Sequence, residues 1–210
     1  MNWLALFTLA IPGAIGSIEQ PLTRTPISDI SIESGPVTMT GDLLAIRRPV
    51  IRATVPGSGS AARIAFSYLG PSKETEPLAS GELRRQIGLK LRARDTCNVI
   101  YVMWRIAPTG GIYVQTKLNP KARTHAQCRD QGYEKVKGTQ ETVPAAIREG
   151  ERRFLTALLT GRRLRVFTDG SLAWQGTLPG DVLALEGPVG MRSDNGNFDV
   201  ELWTDKPTTR

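Results

Sequence analysis

The chain has 210 residues, 40% of them hydrophobic, and its 27 Lys and Arg against 20 Asp and Glu leave a formal net charge of +7. That length and apolar content suffice for one domain with a full core, and 21 Gly and 14 Pro scattered between short alternating runs exclude a helical bundle and predict an all-β fold. One His and two Cys exclude a Cys-rich or His-rich metal site by inventory, while the positive charge favours an anionic partner, acidic polysaccharide or nucleic acid.

Residues 1–16 carry no charged side chain, and the stretch from Trp3 to Ala10 is almost wholly apolar until Pro12 and Gly13 interrupt it. The pattern predicts a secretory signal peptide over 1–16, cleaved before Ser17, and therefore a secreted or periplasmic protein with no membrane attachment once the leader is removed. An apolar first strand is the alternative, and the run is too short for an ordinary membrane span. Residues 17–35, rich in Pro, Ser and Thr, read as an irregular leading segment or a short edge strand, and a β-sandwich domain is expected over 36–205.

Strands are predicted at 42–46, 50–55 and 63–68, with turn signals at 57–60 and 70–72. Three longer alternating segments follow, at 85–93, 98–106 and 112–119. Ile87, Leu89 and Leu91 oppose Gln86, Lys90 and Arg92; Ile100, Val102, Trp104 and Ile106 oppose Val99, Tyr101, Met103 and Arg105; Ile112, Val114 and Leu118 oppose Tyr113, Gln115, Lys117 and Asn119. Paired side by side, they build one polar sheet face on which Gln86, Lys90, Tyr101, Arg105, Tyr113, Gln115 and Lys117 are the candidate ligand-binding residues. Aromatic rings stack on sugar faces, and an arginine fork fits a carboxylate. The competing reading of that face is a solvated surface.

Residues 119–150 are long and polar and hold His125, Cys128 and Tyr133. A short helix is predicted at 144–151, with Pro144 near its start. Cys97 and Cys128 form an even pair in a chain predicted to be exported, so one disulfide is expected, stabilising by about 3 to 4 kcal/mol in the chain-entropy picture. Unpaired thiols are the alternative if the leader stays in place. Alternation resumes from Arg153, with Asp169-Gly170 as a hairpin turn, another turn at 187–190, and a closing strand at 197–203 that turns Phe198, Val200 and Leu202 inward. Trp104 and Trp174 fall in phase with the core. Asp194 and Asn195 offer oxygen ligands for Ca²⁺, but no Asp-x-Asp-x-Asp ladder accompanies them, and Arg192 to Asn195 reads as a turn.

The run Phe154-Leu155-Thr156-Ala157-Leu158-Leu159-Thr160-Gly161-Arg162-Arg163-Leu164-Arg165-Val166-Phe167-Thr168-Asp169-Gly170, followed by Trp174 and by Gly187-Pro188-Val189-Gly190-Met191-Arg192, resembles the back half of a concanavalin A-like jelly roll. The resemblance covers about the last third of the chain and implies an all-β, two-sheet antiparallel jelly-roll sandwich. The superfamily includes lectins, laminin-G-like modules, laminarinase-type glycosidases and jelly-roll alginate lyases. It therefore implies a carbohydrate-binding, lectin-like module, here with a basic face suited to anionic polysaccharide.

The Glu-x-Asp-x-x-Glu run of laminarinase-like enzymes is absent, and Glu74 and Glu76 sit in a Pro-bounded loop. Glu82-Leu83-Arg84, Gln86-Ile87 and Gly111-Ile112-Tyr113-Val114-Gln115 are similar to fragments of alginate lyase motifs, but Gly88 stands where that motif has its His. A lyase would use Tyr101 or Tyr113 as base with Arg105 and Gln115 masking the carboxylate. A structural module of an exported assembly is a third reading. Nucleic acid is not expected, because no DNA or RNA module accompanies the charge.

Overall fold

Period-two alternation, with β-branched and aromatic residues on one face, makes strands of nearly every run of this chain. The structure, a computed structural model, describes residues 21–205, so the predicted leader lies outside the described residues. The first strands are β1 (Thr23–Arg24), β2 (Ser31–Ser34), β3 (Thr38–Thr40), β4 (Leu43–Ile46), β5 (Val50–Val55) and β6 (Ala61–Pro71). The long central strands are β7 (Arg85–Asp95), β8 (Asn98–Ala107) and β9 (Gly111–Lys117), followed by a one-turn helix α1 (His125–Cys128) and the short β10 (Tyr133–Lys135) and β11 (Gln140–Glu141). The chain then runs through β12 (Arg152–Thr160), β13 (Arg163–Thr168), β14 (Ser171–Thr177), β15 (Val189–Asp194) and β16 (Gly196–Thr204).

These strands form two antiparallel sheets. One has the order β11-β14-β13-β12-β6-β16-β4-β3, with β1 also paired to β16, and the other has the order β10-β9-β8-β7-β15-β5-β2. Their inner faces meet in one apolar core. Ile87, Leu89, Ile100, Val102 and Met191 of the seven-stranded sheet pack on Ile64, Phe66, Leu155, Val166 and Phe198 of the other. Phe66 stands edge-on to Trp104 at 5.8 Å and to Phe198 at 6.0 Å between ring centroids. Both Trp104 and Trp174 are buried, in the phase the alternation predicts. Asp169 and Gly170, with φ of 50° and 84°, make the two-residue turn between β13 and β14, and the Asp169 carboxylate accepts the Phe154 N–H at 2.9 Å.

Two local expectations are corrected. Residues 144–151 are not helical: Pro144 to Arg148 belong to no regular element, Ile147 packs against the core, and the Gly150 N–H donates to the Tyr68 carbonyl at 2.8 Å. Arg192 to Asp194 do not form a turn, since they complete β15, and only Asn195, at φ 55°, turns the chain. The polar character of that run misleads because Arg192 and Asp194 satisfy each other within the strand. The leading segment contributes β1 and the edge strand β2.

Candidate functional site

The register of the seven-stranded sheet sets three rows across its outer face. Gln115, Tyr101, Lys90, Gly190 and Thr54 lie in one; Tyr113, Met103, Gly88, Arg192 and Arg52 in the next; Gly111, Arg105, Gln86, Asp194 and Val50 in the third. All the predicted site residues therefore share this face. The face is not solvated, however: Gln86, Lys90, Tyr101, Arg105 and Lys117 are all buried. Two loops roof it over. The β6–β7 connection is held by Asn195, which accepts the Glu76 N–H at 2.7 Å and donates to the carbonyls of Glu76 and Arg84 at 2.9 and 3.0 Å.

The segment after β9 is held more tightly. Fully buried Asn98 donates to the carbonyls of Asn119 and Ala122 and accepts the Asn119 N–H at 2.9 Å. Lys117 donates to the carbonyls of Thr96 and Arg129 at 3.2 and 2.7 Å, and a Cys97–Cys128 disulfide ties α1 to the start of β8. A capping box starts α1, with the Gln127 side chain accepting the Thr124 N–H at 3.0 Å.

Between these loops lies a cleft of about 470 Å³. Arg52, Gln86, Tyr101, Met103, Gln115 and Arg192 form its floor, Glu76 to Ser80 and Arg84 one wall, and His125, Asp130 and Tyr133 the other. Of the predicted site residues, Gln86, Tyr101 and Gln115 reach the cleft. Lys90 is instead paired with Glu33 of the edge strand, Lys117 braces the loop, and Arg105 stacks 3.7 Å from the centroid of the Tyr113 ring and pairs with Glu82 at 3.8 Å. Tyr113 donates its hydroxyl to the Thr109 carbonyl at 3.4 Å. The sequence pattern does not single out Arg52 and Arg192, whose strands are remote from β7 to β9 along the chain, or His125 and Tyr133, which fall in the long polar segment 119–150. The in-phase alternation of Gly190, Arg192 and Asp194 against Val189, Met191 and Ser193 was the available signal.

The electrostatics of the floor are organised around one ion pair. Arg192 Nε lies 2.9 Å from Asp194 Oδ2, its Nη2 bonds Oδ1 at 3.1 Å, and Gln86 Nε2 donates to Oδ2 at 2.7 Å. Burial opposes the Arg192 charge, but Asp194 together with Tyr101 and Tyr133 outweighs it and holds the guanidinium above its ordinary pKa. With those bonds made, Asp194 is committed to Arg192 and Gln86, and Asn195 to the β6–β7 loop.

Above this pair the Arg192 guanidinium sits 5.2 Å from the centroid of the Tyr101 ring, Tyr101 stacks on Tyr133 at 6.1 Å, and Lys117 lies 4.9 Å from the Tyr133 centroid. Burial pushes the Tyr101 phenol up to about 12. Burial, then Lys117, Arg52 and Arg192, hold His125 below the ordinary imidazole value, so it is neutral at neutral pH. Gln86 Oε1 is buried without a hydrogen-bond partner among the described residues.

Gly88, beside Arg192 and Met103, has room for nothing larger: a Cβ there would come within 2.1 Å of the Val102 carbonyl oxygen and 2.7 Å of Met103 Cα. The backbone thus bars a histidine from that position, and the one histidine of the chain reaches the cleft from α1 instead.

No protein-family model and no curated protein matches the chain. Solved structures do. The carbohydrate binding module CBM66 from Bacillus subtilis is similar at a TM-score of 0.55 and 12% identity, over 82% of this chain and 91% of that one. The carbohydrate recognition domain of Emp46p aligns at 0.54 and 11% identity, over 87% and 90%. The fold is a concanavalin A-like jelly roll. A variant of the GH43 protein BlXynB from Bacillus licheniformis contains a similar jelly roll, at a TM-score of 0.53 and 12% identity over 91% of this chain and 40% of that one. At such identities the likeness concerns the jelly roll itself, and the chemistry of the cleft resides in its own side chains.

Proposed function

We infer that this jelly roll is an exported carbohydrate-binding domain whose cleft takes an acidic polysaccharide. The observation that carries the reading is the pair Arg52 and Arg192, directly opposite each other on β5 and β15 and both on the cleft floor. Like charges at such positions repel. Asp194 answers Arg192, whereas Arg52 has only a long 3.5 Å bond to Ser34 Oγ and no carboxylate partner among the described residues. A carboxylate on a sugar ring supplies the missing charge in the bidentate geometry that arginine favours.

The remaining floor suits the rest of a sugar. Tyr133 is 38% exposed and backed by Tyr101, so a ring face is available for stacking. CBM66 and the Emp46p domain are carbohydrate-binding proteins by their names, and the disulfide accords with an oxidising compartment. Among the described residues no helix is long and apolar enough to cross a membrane. The test is titration with polygalacturonate oligomers and, separately, with a neutral β-glucan. We expect Arg52→Ala to weaken the acidic ligand by about 10-fold or more, close to 1.4 kcal/mol. Equal affinity of wild type for the neutral glucan, or no effect of the substitution, would overturn the reading.

A second reading, an acidic-polysaccharide lyase, is favoured by His125 lining the same cleft as Tyr101, Gln86 and Gln115. A neutral imidazole can take the proton from C5 of a uronate, the C4–O bond breaks as a C4=C5 double bond forms, and the phenol protonates the departing oxygen. Arg52 and the Gln115 amide would mask the carboxylate. Growth of absorbance near 235 nm on incubation with polygalacturonate or other uronate polymers, abolished in His125→Asn, separates this enzyme from a pure binder.

A further inference from the structure

We propose that the outer face of the nine-stranded sheet is a second binding surface for acidic polysaccharide, so that one molecule holds two chains. The proposal extends the reading of the cleft but stands on different residues. Across this face the register sets Trp203, Arg63, Thr156 and Phe167 in one row, with Phe154 and Arg165 on the flanking rows of β12 and β13. An open groove of about 580 Å³ runs here, bounded by Arg63, Arg152, Phe154 and Thr156.

The charge on this face is unbalanced in a specific way. Its carboxylates are already matched: Glu201 pairs with both Arg24 and Arg152, Asp199 with Arg47 at 2.6 Å, and Asp169 with Arg153 at 2.7 Å. Arg63, Arg163 and Arg165 have no carboxylate within ion-pair distance among the described residues. Arg63 uses only its Nε, toward Thr156 Oγ1 at 2.9 Å, leaving the outer edge of its guanidinium unbonded among the described residues.

These three cations stand on β6 and β13, the two strands that flank β12, with successive same-face positions roughly 7 Å apart along a strand and adjacent strands roughly 5 Å apart. Such spacing meets a repeating anion better than a single small one. Rings lie among them: Phe154 and Phe167 are half-buried with Arg152 and Arg165 over them at 5.7 and 5.8 Å, and half-buried Trp203 adjoins Arg63. Flush aromatic faces between guanidinium groups combine sugar stacking with charge recognition. A lipid headgroup surface would instead call for protruding apolar side chains, and the rings here do not protrude.

The experiment is a bridging assay. Polygalacturonate is immobilised, the protein is bound, and capture of fluorescent polygalacturonate from solution is read; dextran sulfate and duplex DNA serve as parallel soluble probes. Wild type should capture the second uronate chain. Arg63→Gln with Arg165→Gln, and independently the charge reversal Arg165→Glu, should retain binding to the immobilised chain while reducing bridging at least 5-fold, with an unchanged melting temperature showing that both fold. In titration the oligomer stoichiometry should fall from two to one.

Bridging that persists in both back-face variants overturns the proposal, as does a wild-type preference for DNA or for dextran sulfate at equal salt. Arg52→Ala separates the two surfaces. If it leaves titration at the cleft unchanged while the back-face variants abolish one site, the cleft reading fails and this one stands; the reverse pattern removes only the back face.

Discussion

Each side chain that lines the cleft has a distinct environment, and His125, on α1, is the most sensitive reporter among them. Its pKa is depressed by burial and by Lys117, Arg52 and Arg192, with Asp130 the acidic group on its own wall. Below about pH 6.5 the unfolded chain therefore binds more protons at this site than the folded one. The stability it contributes is complete above the unfolded pKa and is lost as pH falls through the folded value. An anion placed among those cations reverses the bias, so binding of polygalacturonate should be accompanied by proton uptake, and affinity should rise from about pH 7 to about pH 5. Titrations in buffers of differing ionisation enthalpy measure the proton count, His125→Asn should flatten the profile, and proton release would contradict the placement. Gly88→Ala tests the backbone beneath: with a carbonyl oxygen 2.1 Å from the new methyl, denaturant titration should show a loss of about 2 kcal/mol or more.

At the scale of elements, the roof over the cleft depends on one covalent tie. The disulfide fixes α1, and with it His125 and the approach to Tyr133, against β8. Cys97→Ser with Cys128→Ser should lower stability by about 3 kcal/mol and weaken ligand binding beyond that of a variant matched for stability alone. Calorimetry on both variants separates the two effects. Strands were the legible elements, because period two survives in a single sequence: 50–55 and the start of 98–106 coincide with β5 and β8. Residues 144–151 misled because a proline followed by two alanines resembles a helix start, while eight residues cannot sustain a helix without a packed face and Ile147 reaches the core from an irregular segment. The roof itself was not legible, since Asn98 and Lys117 look like surface residues until the carbonyls they bind are folded over them.

For the whole molecule, adjacency in the sheet is what a linear reading could not supply. Gln86, Tyr101 and Gln115 are near one another along the chain and their period-two spacing puts them on one face, but Arg52 and Arg192 meet only because β15 inserts between β7 and β5. Long-range attraction also belongs to this scale. With a net charge of +7, association with a polyuronate should slow steeply as ionic strength rises from about 0.05 to about 0.3 M, while dissociation changes less. Surface plasmon resonance at several salt concentrations checks both rates.

Both sheets end in very short strands: β11 and β3 border one, β10 and β2 the other, each of two to four residues. An edge that short offers an incoming chain too few unpaired amides to template growth. A protein that gathers along a polymer reaches high local concentrations, where strand-to-strand addition would fuse neighbours into fibrils. Blunt borders would let copies drawn together on a repeating ligand, as proposed for the cleft, come apart again once that ligand is removed.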